Sequence, residues 1–263
     1  MRGHITRRYG IEWSRPADRM KEFVQALHAI WACWNDDVPL DFRGEYYTHK
    51  LMTPVFHPSP CASGRPAVLL AAVGPRMLRV AAEGADGVIA HPLSSRRQLL
   101  ESTLPALREA RADSGSNGAF EVSCPVLVIT GRSDEEMATA RETVRKQVAF
   151  YASTPAYRGA LALYDQGETA DELRALSVQG EWDKMTALVT DELLEEFAVE
   201  APAPQLRAAL EARFTGVLDR VSLYAPYRLA SGVWQTVMEQ VSPELTQPLP
   251  SSNATPSGRA GGA

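Results

Sequence analysis

Two short stretches hold the residues whose types and spacing suit ligand chemistry. In Ala71-Ala72-Val73-Gly74-Pro75-Arg76, small side chains clear space where an apolar run ends and a helical pattern begins. In His91-Pro92-Leu93-Ser94, a second apolar run ends in polar residues. A helix opening at Pro75 points free N–H groups and the positive end of its dipole at that space. Proline suits the first helical turn because its N–H would be unpaired there anyway. The donors then come from Gly74, Arg76 and Met77, and Arg76 adds a full positive charge. His91 leaves the next strand on the same face, so an anion, most simply a phosphate, fits between the two stretches. A lone Gly-Pro turn serves equally well as a tight strand-to-helix connection, and pattern alone leaves both readings open. The five histidines have no matched carboxylate and no metal-ligand spacing. No metal site is expected, and no residue stands out as a general acid or base.

The elements that must position these residues read as one strand–helix–strand unit. Val68-Leu69-Leu70-Ala71-Ala72 has the length of a strand buried on both faces. Met77, Leu78, Ala81 and Ala82 follow at helical spacing, Gly84 ends the helix, and Gly87-Val88-Ile89-Ala90 begins the next strand. Such units build parallel α/β sheets and barrels.

The same reading extends along the chain. Met20, Phe23, Val24, Leu27, Ile30, Trp31 and Trp34 give a helix over 16–34 with one apolar face, capped by Ser14. Gly44 separates two short runs that read as a hairpin. Ser94 or Ser95 caps a helix that Pro105 is expected to kink. Strands are expected at 67–72, 87–91, 122–129 and 219–225, with a bulge or an irregular strand at Pro125 in the third. Capping boxes at Ser133-x-x-Glu136 and Thr169-x-x-Glu172 start helices, and 154–197 is mainly helical. Tyr151, Thr154, Tyr157 and Arg158 either border a substrate pocket or simply pack. Residues 231–241 close the fold, and the Ser/Pro/Gly-rich stretch 242–263 reads as a disordered tail.

Bulk properties bound the function. With 263 residues, 45% hydrophobic and 22% charged, the chain is an ordinary globular sequence of one-domain size. A net charge of −5 gives no basic field for nucleic acid. No apolar run has membrane-spanning length and no apolar signal core opens the chain, so a cytoplasmic protein is expected. Cys33, Cys61 and Cys124 are widely spaced and read as free thiols.

The segment AAVGPRMLRVAAEGADGVIAHP resembles the luciferase-like monooxygenase superfamily, and within it the oxidoreductases that use coenzyme F420. RGHITRRYG at 2–10, LDFRGEYYTH at 40–49, STPAYRG at 153–159 and DRVSLYAPY at 219–227 match the same family in the same order. The resemblance implies a (β/α)8 barrel and hydride transfer between F420 and a small organic substrate, with flavin mononucleotide as the alternative cofactor. It implies phosphate contacts from Ala71, Ala72, Val73, Gly74, Arg76, His91 and Ser94, and a cofactor-facing His4. It also implies a barrel domain over 1–241, with a helical insertion at about 154–197. Four strands are half of a barrel, so the resemblance implies that the first strands, with the catalytic group, precede the position of Met1. Such an incomplete barrel exposes strand edges and an inner face. The isolated chain is then expected to aggregate or find a covering partner such as a homodimer, to bind the cofactor poorly and to turn over little. A non-catalytic binding protein is the reading from another class.

Overall fold

The computed structural model describes residues 2–229 and 232–241. The stretch expected to form a disordered tail lies outside the described residues. The chain begins with a π-helical turn, His4–Arg8, that buries no side chain. Helix α1, Pro16–Asp36, follows, then a two-stranded antiparallel hairpin of β1 (Phe42–Arg43) and β2 (Thr48–His49). Strand β3 (Leu69–Ala71), helix α2 (Pro75–Gly84) and strand β4 (Gly87–Ile89) form the expected strand–helix–strand unit. Helices α3 (Arg96–Gln98) and α4 (Leu104–Ser114) lead to β5 (Glu121–Ile129). Five helices come next: α5 (Asp134–Ala152), α6 (Arg158–Ala162), α7 (Gly167–Gln179), α8 (Trp182–Ala187) and α9 (Asp191–Phe197). Strand β6 (Ala198–Glu200), helix α10 (Leu206–Phe214), strand β7 (Arg220–Tyr224) and helix α11 (Val233–Val241) complete the order.

The main sheet is parallel throughout, in the order β3-β4-β5-β7. The four expected strands are all present, and β6, Ala198–Glu200, is a fifth that directly follows helix α9 with no Gly or Pro between to mark its start. Ser123 pairs with Ile89 and Arg220, and Leu127 pairs with Ala198 and Tyr224. Strand β5 therefore carries β7 on one edge and, end to end on the other, β4 and then β6. This arrangement corrects the expected bulge at Pro125, since the register through Pro125↔Ser222 is unbroken. The odd-numbered residues of β5 turn their backbone groups toward β4 and β6, as the bonds from Ala90 to the Ser123 carbonyl (2.8 Å) and from Ala201 to the Ile129 carbonyl (3.1 Å) show. Pro125 faces the gap between those partners, where no ladder bond needs its missing N–H.

Two cores sit on opposite faces of the sheet. On one face Leu70, Val88, Val122 and Val126 pack against Leu78, Leu107, Leu206 and Leu210. On the other, Leu127 and Ile129 pack against Val144, Val148, Leu173, Leu194 and Phe197 from the helices after β5. The outer strands are more open than the expected fully buried pattern, with Ala71, Arg220 and Ser222 exposed.

Local capping differs from the expectations at three points. The N-cap of α1 is Arg15, with no side-chain bond, so Ser14 is not the cap. Thr169 lies inside α7 and donates to Gln166 Oε1 at 2.6 Å, so the second capping box is not formed. The helix carrying Pro105 is interrupted one turn earlier by a π turn, Leu99–Thr103, which absorbs the clash between the proline ring and the preceding turn. Ser95 caps α3 as expected, accepting the Gln98 N–H at 3.1 Å. Ser133 caps α5 in the same way at 3.2 Å.

Candidate cofactor site

The site grows from the end of β3. Ala72 bonds to the Ile89 carbonyl at 3.2 Å and fixes the strand exit against β4. Gly74 then takes φ 81° and ψ 156°, a conformation open to glycine and strained for any other residue. That turn aims α2 so that Leu78 is the first residue to bond back, to the Gly74 carbonyl at 3.1 Å. The N–H groups of Arg76 and Met77 precede it and have no intrahelical partner.

A cavity of about 170 Å³ lies at this turn. Its walls are Ala72, Val73 and Gly74 from the strand exit, Pro75 and Leu78 from α2, Ala90 and Ser94 from the loop after β4, and Gln98, Ser102, Thr103 and Ala106 from the following helix. The Ser94 N–H bonds to the His91 carbonyl at 2.8 Å, which holds the loop closed against the cavity. The Gln98 Oε1 atom is buried and has no hydrogen-bond partner among the described residues. A side-chain amide can present either end, so Gln98 offers a donor or an acceptor to whatever enters. The helix N-terminus, the three hydroxyl residues Ser94, Ser102 and Thr103, and an unspent amide fit a phosphate group.

Of the candidate residues, this cavity brings together Ala72, Val73, Gly74 and Ser94. Ala71 is exposed and does not line it. Arg76 turns its side chain away, reaching Asp18 at 3.4 Å and lining a wider groove with Trp13 and Arg15. His4 is exposed on the first helical turn and lines neither space. Gln98, Ser102 and Thr103 were not singled out from the sequence. Gln98 lies four residues beyond Ser94, which is the one signal that a helix would bring both to one wall.

His91 belongs to a neighbouring aromatic cluster. Its ring stacks on Tyr157 at 4.0 Å between centroids and meets the edge of Tyr151 at 4.7 Å. The Tyr151 and Tyr224 hydroxyls lie 3.2 Å apart. His91 Nδ1 accepts the Leu93 N–H at 3.1 Å, so the neutral ring carries its proton on Nε2. Burial pushes the His91 imidazole down to about 4. Burial also raises the Tyr151 and Tyr157 hydroxyls. The cluster is therefore uncharged at neutral pH. It stands at the C-terminal ends of β4 and β7, the end at which barrel enzymes place their sites. Of the four residues named in the sequence as possible pocket or packing groups, Tyr151 and Tyr157 join it, while Arg158 pairs outward with Asp171 at 2.8 Å.

Comparison with known proteins places this geometry. Residues 2–220 match the model of the luciferase-like monooxygenase family. Uncharacterized proteins of Mycobacterium tuberculosis and Mycobacterium bovis are 49% identical over 222 residues, covering 84% of this chain and 65% of theirs. A phthiodiolone/phenolphthiodiolone dimycocerosates ketoreductase of Mycobacterium kansasii is 36% identical over 138 residues, covering 52% of this chain and 36% of the ketoreductase. Among solved structures, the coenzyme F420-dependent tetrahydromethanopterin reductase of Methanopyrus kandleri superposes with a TM-score of 0.65 at 17% identity, covering 87% of this chain and 63% of the reductase. An F420-dependent secondary alcohol dehydrogenase gives 0.58 at 16% identity, covering 88% and 63%. An EDTA monooxygenase from Chelativorans gives 0.55 at 19% identity, covering 90% and 61%. The chain thus spans about two-thirds of the length of the relatives it matches best here, and its parallel sheet is that of the (β/α)8 barrel enzymes of this class. The match over residues 2–220 shows that the chain belongs to the luciferase-like monooxygenase family.

Proposed function

We propose that this chain binds the phosphate of coenzyme F420 at the Gly74 turn and serves an oxidoreductase that passes hydride between that coenzyme and a small organic substrate. The observation that carries the reading is the 170 Å³ cavity with the unpartnered Gln98 amide in its wall. The Arg76 and Met77 N–H groups would meet the phosphate oxygens along the helix axis. Ser94 and Gln98 would meet them from the opposite wall. Leu78, Ala90 and Ala106 line the rest of the cavity with apolar surface, which strengthens those hydrogen bonds by keeping water away. The bound deazaflavin supplies the hydride-carrying ring carbon. The neutral His91–Tyr151–Tyr157–Tyr224 cluster offers hydroxyl and imidazole donors without a charge, which suits an uncharged carbonyl or alcohol substrate.

The second reading is flavin mononucleotide in the same cavity, since it also carries a phosphate and the EDTA monooxygenase neighbour shares the fold. Tryptophan fluorescence tests both, because the chain has five tryptophans. Saturable quenching by F420, competed by inorganic phosphate and weakened by Gln98→Leu, is the expected result. Stronger quenching by flavin mononucleotide than by F420 favours the second reading. Equal quenching by flavin mononucleotide and phosphate-free riboflavin, or none by any ligand, refutes the site.

A further inference from the structure

We infer that the site takes an uncharged ketone or secondary alcohol that carries a long alkyl chain, its oxygen at the Tyr224 hydroxyl and its chain laid along Tyr151, Phe150 and Trp182. The inference rests on the reading of the His91 cluster as the substrate end of the site, and adds what lies beyond it. The rings of that cluster do not stop at Tyr151. The Phe150 ring lies 5.8 Å from Tyr151 between centroids, and Trp182 lies 6.4 Å from Phe150. With the 4.7 Å step from His91 to Tyr151, one unbroken row of rings leads from the exit of β4 to the surface of the helical layer. Burial falls along the row: His91 and Tyr151 are half-buried, whereas Phe150 is 49% and Trp182 53% exposed. The loop after β4 and helices α5 and α8 carry all four rings, so the row is built well inside the chain.

The inner end of the row sets the head group. Tyr224 is the last residue of β7, and it packs with the helical-layer core while Val221 and Leu223 pack with the other. Its ring therefore stands on the same side of the sheet as Tyr151. The Tyr151 hydroxyl donates to the Tyr224 hydroxyl at 3.2 Å, and among the described residues the Tyr224 proton has no acceptor. One unspent O–H donor amid uncharged groups suits a neutral oxygen, whereas an ionised head would be desolvated there without a counter-charge. The outer rings set the tail. Successive rings are turned by 78°, 48° and 45° to one another, so they share no plane on which a rigid fused-ring compound could stack. A flexible chain bends with them and takes its methylenes out of water one ring at a time.

The test is titration calorimetry of the full chain with methyl ketones from acetone to decanone. The dissociation constant is expected to fall about two- to fourfold with each added methylene. Phe150→Ser combined with Trp182→Ser flattens that dependence at the long end and leaves acetone unchanged. Tyr224→Phe weakens every ketone by about fivefold and keeps the dependence on length. Decanoate, with a similar chain and an ionised head, binds about tenfold or more weakly than decanone. Val55→Ser removes an apolar side chain that is 87% exposed elsewhere, and leaves the series as it is. Far-UV circular dichroism confirms that each variant keeps its helices. Affinity that ignores chain length, a length dependence that survives the double variant or is lost in Val55→Ser, or decanoate binding as tightly as decanone overturns the inference. F420 quenching on the same samples stands apart: its failure refutes the phosphate site, while the ketone series alone decides the chain-binding row.

Discussion

Replacing Gly74 by alanine should separate strain from space at the turn proposed to hold the phosphate. An added Cβ at Gly74 meets nothing within 4 Å, so no steric clash follows. The cost comes from the backbone, because φ 81° with ψ 156° lies in a region that only glycine occupies freely. Holding alanine there costs about 1–3 kcal/mol. Stiffening of the unfolded chain offsets about 0.4–1 kcal/mol of that strain, leaving a net cost of about 1–2 kcal/mol. For a chain of this size the melting temperature should fall by about 2–8 °C. If the backbone instead relaxes, the Arg76 and Met77 N–H groups swing off the cavity, so phosphate affinity falls while stability is kept. Thermal unfolding and phosphate-competed F420 quenching, measured on one sample, distinguish the two. Gly115 is the internal control: it caps α4 at φ 68° and ψ 19°, the left-handed helical region, where asparagine is tolerated. Gly115→Asn should be nearly neutral and Gly74→Asn as harmful as alanine. A Gly74→Ala protein with unchanged melting temperature and unchanged affinity would refute the reasoning.

Three further outcomes follow from buried groups. The Tyr227 hydroxyl accepts the Thr130 N–H at 2.9 Å and donates to the Val128 carbonyl at 2.9 Å. Tyr227→Phe should cost about 1–3 kcal/mol in denaturant unfolding, because it strands a buried N–H. His91 stays neutral in the fold down to about 4, against an ordinary 6.5, while the unfolded chain takes up its proton first. Stability should therefore fall as pH drops from about 6.5 to about 4, and His91→Phe should flatten that slope in pH-dependent thermal unfolding. Cys61 is exposed while Cys33 and Cys124 are buried, and burial pushes the Cys124 thiol up to about 12. A thiol reagent should label one cysteine in the native chain and three after denaturation.

The strand-to-helix turn at Gly74 was legible because it rests on local rules. Gly74-Pro75 between an apolar run and a helical repeat dictates a strand exit and a helix start wherever it occurs. The hairpin around Gly44 and the caps at Ser95 and Ser133 are equally local. What the sequence concealed depends on partners distant along the chain. The hairpin's attachment is one example: Glu22 in α1 accepts the N–H groups of Tyr46 and Tyr47 at 2.6 Å each. Strand β6 is another, since it continues straight from α9 with no breaking residue between, and its pairing with the upper part of β5 makes it a strand. The position of His91 is a third. Its place after a strand suggested a phosphate neighbour, whereas the rings of Tyr151 and Tyr157, sixty residues further on, draw it into the aromatic cluster. Helix α1 divides its apolar residues for the same reason. Val24 enters the core while Phe23 remains at the surface, and a helical repeat alone cannot say which side will be covered.

The proline in β5 has a consequence for how the inserted helices are held. A strand without Pro125 would present an unbroken edge, along which the three residues of β6 could pair in more than one register. Each one-residue slip would turn Val199 from one face of the sheet to the other and drag α9, α8 and α7 with it. A position that cannot donate makes the lower registers worse than the upper one, so β6 stops where Ala198 meets Leu127. The proline thus acts as a doorstop: it adds no bond, yet it fixes the height at which the helical layer rests above the sheet and over the tyrosine cluster.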